Sequence, residues 1–184
     1  MCQAERRLAL NKRVVDTNVV LIADGKASHV SGECKDICTL RLESIKRNGH
    51  VIIDDGWLIL GEYKNKLEPN RDSLPGEKFV KWILQNLANP KFVTQVSITK
   101  TGAGGKYFKE FPDDRELETE FDPADRKFIA VANVHPDKPT ILQAADSKWL
   151  GWEERLYAHG ISIEFICCDE LKSVRKRKLA RSKK

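Results

Sequence analysis

The chain predicts an α/β protein folded around a parallel sheet, and two observations carry that expectation. Short apolar runs at 13–16, 50–54, 92–98, 140–146 and 161–166 alternate with segments whose apolar residues recur at helical spacing. The first run ends on Asp16, placing an acid at the carboxyl end of a buried-type strand, where parallel sheets gather ligands. A length of 184 residues suits one domain with a substantial core, and 41% hydrophobic with 32% charged residues is ordinary for a globular chain.

The elements follow in order. Val14-Val15 reads as strand one, with Asp16 either capping the segment that starts near Asn18 or meeting a ligand. Residues 33–47 carry Ile37, Leu40 and Ile45 at helical spacing, and Asn48-Gly49 ends that helix. HVIID, 50–54, is the second strand. Asp55 is placed to cap a helix over 56–67, and the stretch from Pro69 to Pro75 reads as a loop. An amphipathic helix covers 77–89, and FVTQVSI, 92–98, is β-rich. Residues 99–121 form a long polar insertion, with TGAGGK read as a mobile loop. Asp122-Pro123 opens a helix over 122–134, with Asp at the N-cap and Pro at the first helical position. TILQAAD is a strand, SKWLGWEERLYAHG a helix and ISIEFI a final strand. The expected organisation is an extension over 1–12, a domain over 13–168 and a basic tail over 169–184.

Composition narrows the function classes. No apolar run approaches the roughly 20 residues that span a bilayer. The first residues, MCQAERRLALNKR, show no apolar signal core, so a cytoplasmic protein is expected. Five cysteines (2, 34, 38, 167 and 168) form no regular framework, which points to reduced thiols. Cys34 and Cys38 can share a helix face, but no second Cys or His pair has zinc-finger spacing, so a zinc site is not expected. All 27 acidic residues lie at or before Glu170, while eight of the 32 Lys and Arg lie in 171–184. A basic tail on an acidic body suits a polyanion partner or simply solubilises the chain.

TKTGAGGKY fails as a phosphate loop, because the Walker pattern needs Gly where Lys100 stands and Ser or Thr where Tyr107 stands. The acids are more informative. Asp16, Asp125 and Asp146 sit at strand ends or helix starts, which share one edge of a parallel sheet. Crowded carboxylates raise one another's pKa, and a divalent cation reverses that penalty. Each acid also has an ordinary reading. Asp122 and Asp146 suit helix caps, Asp125 suits a capping-box turn, and Glu62 suits a surface pair with Lys66.

The motifs VVDTNVV, LILGEYKNKL, DRKFIAVA and LQAADSKW, in that order, resemble those of PIN-domain nucleases, the family that includes VapC-type toxins. The resemblance covers roughly 13–166 and implies a three-layer α/β/α sandwich with a mostly parallel sheet in the strand order 3-2-1-4-5. It implies a Mg²⁺- or Mn²⁺-dependent nuclease, with RNA favoured over DNA. Asp16, Glu62, Asp125 and Asp146 would be the catalytic and metal-binding acids, and Asn18 and Asp122 would support them. Arg126 and Lys148 are placed to guide phosphates, and Arg175, Lys176, Arg177 and Lys178 to add backbone contacts. An antitoxin or other protein partner and a homodimer are further expectations from the family. Three features depart from it: Ala144 replaces the usual Thr of the fourth motif, 64–75 and 99–121 are longer, and the basic tail is extra. Two rivals are a catalytically weak PIN-like binding module and an aspartyl phosphotransferase. The haloacid-dehalogenase type of the latter calls for Asp where this chain has Asn18.

Overall fold

A computed structural model describes residues 12–27, 30–67, 73–168 and 170–171. Its centre is a five-stranded, all-parallel sheet of β1 (Lys12–Val15), β2 (His50–Asp54), β3 (Val93–Val96), β6 (Thr140–Gln143) and β7 (Ile163–Phe165), in the order β3-β2-β1-β6-β7. Counting only these five strands, the order is the expected 3-2-1-4-5. The architecture is a three-layer α/β/α sandwich. From β1 the chain winds one way to β2 and β3, then crosses back to β6 and β7. With right-handed crossovers, that reversal sends the helices to opposite faces. On one face α1 (Thr17–Ala23), α2 (Gly32–Asn48) and α4 (Pro75–Asn86) pack together, and α6 (Arg126–Val134) lies against β1, β2 and β6. The reversal point falls between β1 and β6, where a doubly wound sheet opens its ligand crevice.

Apolar strand runs explain the sheet: Val14, Val15, Val51, Ile52, Ile53, Ile141 and Leu142 are all buried. Ser31 caps α2, its hydroxyl accepting from the Cys34 N–H at 3.2 Å. The helix ends at Asn48, as the Asn-Gly pair predicts, but for a different reason. Gly49 has φ −102°, and a Cβ there would lie 2.8 Å from the Ile45 backbone, so close approach rather than left-handed geometry calls for glycine.

Several boundaries differ from the sequence reading. Helix α3 (Leu58–Lys66) is capped by Asp54, not Asp55: the Asp54 carboxylate accepts from the N–H groups of Leu58 and Ile59 at 2.7 and 2.8 Å. Asp55 instead accepts from the Ser97 hydroxyl. The insertion is built of regular elements, and the TGAGGK stretch is the connection of a hairpin. Its strands β4 (Lys100–Thr101) and β5 (Tyr107–Phe108) form an antiparallel hairpin, and the positive φ of Gly102 and Gly104 turns the chain between them. Helix α5 (Arg115–Glu120) follows, and Phe108, Phe111, Leu117 and Phe121 carry the segment into the core. The expected helix over 147–160 divides into a 3-10 turn (Trp149–Gly151) and α7 (Glu153–Ala158). A disulfide joins Cys34 to Cys167, against the expectation of reduced thiols; a sequence separation of 133 hides the pairing from spacing rules. Among the described residues, no helix is long and apolar enough to cross a membrane.

Candidate active site

The carboxyl end of β1 delivers Asp16 into the crevice. Its Oδ1 accepts from the Asn18 N–H at 2.8 Å and so caps α1, while its own N–H is tied to Leu142 O of β6 at 2.9 Å. The residue is 4% exposed. Burial, then the nearby charge of Asp125, pushes its carboxyl up to about 8. The Asn18 side chain turns the other way: its amide donates to Gln143 Oε1, and its oxygen accepts from the Ala144 N–H at 3.1 Å. Asn18 thus orients Asp16 through the main chain and fixes the end of β6 through its side chain.

Asp125 arrives from the other layer. The sequence placed the helix start at Asp122, but α6 begins at Arg126 with Asp125 at its N-cap. Asp122 closes the preceding turn instead, its Oδ1 accepting from the Ala124 N–H at 3.0 Å and its Oδ2 from Lys148 Nζ at 2.9 Å. Asp125 makes no capping bond, so its carboxylate is available. Trp149, 1% exposed and edge-on to Phe121, donates its indole N–H to Asp125 Oδ2 at 3.2 Å. Burial and then Asp122 raise the Asp125 carboxyl to about 6, with Lys127 opposing and Asp146 adding to the rise. Asp146 itself caps a turn, its Oδ1 accepting from the Lys148 N–H at 2.9 Å.

Glu62 reaches the same edge from α3. Lys127 Nζ lies 2.6 Å from one of its oxygens and Lys66 Nζ 2.7 Å from the other. Burial alone would raise this carboxyl, but the bonds from Lys127 and Lys66 outweigh it and hold the group low. The expected Glu62–Lys66 surface pair is therefore present, and a second, more buried cation joins it.

The structure thus brings Asp16, Glu62, Asp125 and Asp146 to one sheet edge. Two clefts flank them: one of about 220 Å³ contains Glu62, Lys127 and Lys100, and one of about 520 Å³ contains Asp125, Lys148, Trp149 and Trp152. Arg126 does not take the phosphate-guiding role expected of it. It is 2% exposed, donates to the carbonyls of Glu118 and Phe121, and lies 4.7 Å from the centre of the Tyr107 ring, pinning the hairpin to α6. Lys148 is exposed beside Asp122. Arg175, Lys176, Arg177 and Lys178 lie outside the described residues.

Sequence reasoning missed Lys127 and the bond from Trp149. A lysine inside the apolar helix RKFIAVANV was the available signal for the first; nothing local announces the second. Trp57 is a further surprise: it opens α3 with φ 62°, rare for a bulky residue, and stays 46% exposed at the same edge.

The donor set fits a hard divalent cation. It consists of carboxylate oxygens on neighbouring acids: the charge of Asp125 pushes the Asp16 carboxyl up, Asp122 and Asp146 push up that of Asp125, and a cation would relieve that repulsion. Asp16, Asp125 and Asp146 are the acids without a lysine bonded to the carboxylate. No family model, curated protein or solved structure matches this chain.

Proposed function

We propose that the protein is a divalent-cation-dependent nuclease of the PIN type, hydrolysing phosphodiester bonds with RNA as the favoured substrate. The observation that carries this reading is the pair Asp16 and Asp125. Asp16 is buried and Asp125 half-buried at the switch-point edge of a parallel sheet, and the charge of Asp125 pushes the Asp16 carboxyl up, an arrangement that is unfavourable without a cation.

Asp16, Asp125 and Asp146 would hold Mg²⁺ or Mn²⁺. Such an ion supplies Lewis acidity toward a phosphate oxygen and lowers the pKa of water for in-line attack. The chain's own groups do the rest. Asn18 and Trp149 fix the orientation of Asp16 and Asp125. Glu62 holds the Lys127 ammonium at the edge of the smaller cleft, where it would meet negative charge on a phosphate. Lys148 offers an exposed cation at the rim of the larger cleft, suited to a neighbouring phosphate. Cytoplasmic location and a protein partner such as an antitoxin belong to the same proposal.

One observation favours the second reading, a binding module with little activity. Glu62 is already neutralised by two lysines, leaving three acids rather than four for a cation. A panel of labelled RNAs and DNAs incubated with Mg²⁺, Mn²⁺ or EDTA separates the two. Metal-dependent cleavage that Asp16→Asn and Asp125→Asn abolish supports the nuclease. Binding without cleavage in every cation supports the module.

A further inference from the structure

Away from the acids, three buried sulfurs converge where the first turns of α2 meet the segment following β7. Cys34 and Cys38 stand one helical turn apart on α2, and Cys167 faces them from the far end of the chain. They are 2%, 0% and 3% exposed, and their sulfurs all lie within 4.8 Å of one another. Cys34 and Cys167 form the disulfide, while Cys38 is a free thiol with its Sγ 3.9 Å from that of Cys167.

We propose that, once the disulfide is reduced, Cys34, Cys38 and Cys167 form a binding site for Zn²⁺. Thiolates at the usual Zn–S distance of about 2.3 Å place tetrahedral neighbours roughly 3.8 Å apart, close to the separation already set between Cys38 and Cys167. Opening the disulfide lets Cys34 move out to the same spacing. Cys34 lies in the first turn of a 17-residue helix, whose positive end favours a thiolate. Water takes the fourth position, as in zinc sites with three protein ligands. Cys168 is not a ligand, because its Sγ is directed at Phe165 O, 3.0 Å away.

The alternative role for such a trio is disulfide exchange, with Cys38 attacking Cys167. Burial opposes it, since it holds the Cys38 thiol far from ionisation and a neutral thiol is a poor nucleophile. Metal binding needs no free thiolate beforehand. A dithiol reductant gives two electrons and two protons to the disulfide and becomes a disulfide itself. Zn²⁺ then displaces three thiol protons and takes three thiolates. Disulfide and metal are mutually exclusive, and each ties α2 to the segment after β7.

The test uses the full chain, reduced with a dithiol and then freed of it without air, and titrated with Co²⁺ as a spectroscopic stand-in for Zn²⁺. One equivalent should produce a thiolate-to-cobalt charge-transfer band in the near ultraviolet, which carboxylate ligation at the acid site cannot give. Zn²⁺ should bleach it, and Asp16→Asn and Cys168→Ser should retain it. With Zn²⁺ bound, alkylation should be suppressed at least tenfold at Cys34, Cys38 and Cys167. Trypsin cuts at Lys35 and so separates the first two, and fragmentation distinguishes Cys167 from Cys168. Absence of the band from the reduced wild-type protein overturns the proposal, as does a band with protection at other cysteines. The wild-type titration decides the matter with no cysteine ligand replaced.

Discussion

Replacing Asp16 with asparagine should change the pH dependence of stability more than the fold. Asparagine caps a helix about as well as aspartate, so the bond from the Asn18 N–H survives the exchange. What disappears is the charge. The Asp16 carboxyl titrates near 3.8 in an unfolded chain and near 8 in the cation-free native protein. The native state therefore holds the proton more tightly, so stability is greatest at low pH and falls as pH rises between those two values. At about 1.4 kcal/mol per pH unit, the full effect is at most roughly 6 kcal/mol, part of it shared with Asp125, which titrates in the same direction. His50 and His135 pull the other way, because burial lowers both and favours their neutral forms in the native state as pH rises through the imidazole range. Comparing wild type with Asp16→Asn cancels those contributions. The assay is urea unfolding in EDTA from about pH 5 to about pH 9. Wild type should lose several kcal/mol relative to the variant across that range, and millimolar Mg²⁺ should restore wild type alone. Parallel stability profiles for the two proteins would refute the reasoning, since Asp16 would then carry no buried charge.

Asp122→Ala should cost about 1 kcal/mol through the lost turn bond and leave most cleavage intact, whereas Asp125→Ala should abolish cleavage; a stable but inactive Asp122→Ala protein would move the catalytic role. Lys127→Met should destabilise the cation-free protein by roughly 2 kcal/mol by leaving Glu62 short of a partner, and added Mg²⁺ should recover part of the loss; thermal melts with and without the ion would show neither effect if the ion pair were incidental. Leu171 is 3% exposed, so the basic tail is best removed after it, which takes away all eight cations. If half of those engage a single strand, the slope of log K against log salt should flatten by about 3, and an unchanged slope would remove the tail from nucleic-acid binding.

The parallel sheet was legible because β1, β2 and β6 carry the short apolar cores Val14-Val15, Val51-Ile52-Ile53 and Ile141-Leu142, which alternate with helical segments. Element starts were less legible. Asp54 and Asp55 are equivalent caps on paper; in the structure the chain enters α3 through the left-handed Trp57, and Asp54 accepts from two N–H groups. Arg126 and Lys127 show the same limit. Arg126 was expected to guide phosphates and Lys127 was passed over, yet the first bonds carbonyls and the second Glu62, because the insertion and α3 meet them from distant parts of the chain. The sulfur cluster was invisible for that reason too, since Cys167 reaches Cys34 across 133 residues.

Capping and cation binding, the two roles that the sequence posed for Asp16 and Asp146, do not compete for the same oxygen. Asp16 uses Oδ1 for the Asn18 N–H, Asp146 uses Oδ1 for the Lys148 N–H, and Asp125 uses Oδ2 for the Trp149 indole. In each case one oxygen fixes the carboxylate's orientation, and the second is outside that bond. A main-chain or indole donor holds the side chain in one rotamer without neutralising it, as a lysine would. That is the preorganisation a cation site requires of its ligands. Glu62 is the exception, with both oxygens on lysines, and its role differs accordingly. Asparagine preserves the orienting bond and removes the charge; alanine removes both. If these acids only cap, asparagine variants should match wild type in their lack of response to Mg²⁺, the pH profile of Asp16 still reflecting its buried charge. If they are cation ligands, asparagine should leave the fold intact while eliminating the Mg²⁺ response, and alanine should in addition cost about 1 kcal/mol at Asp16.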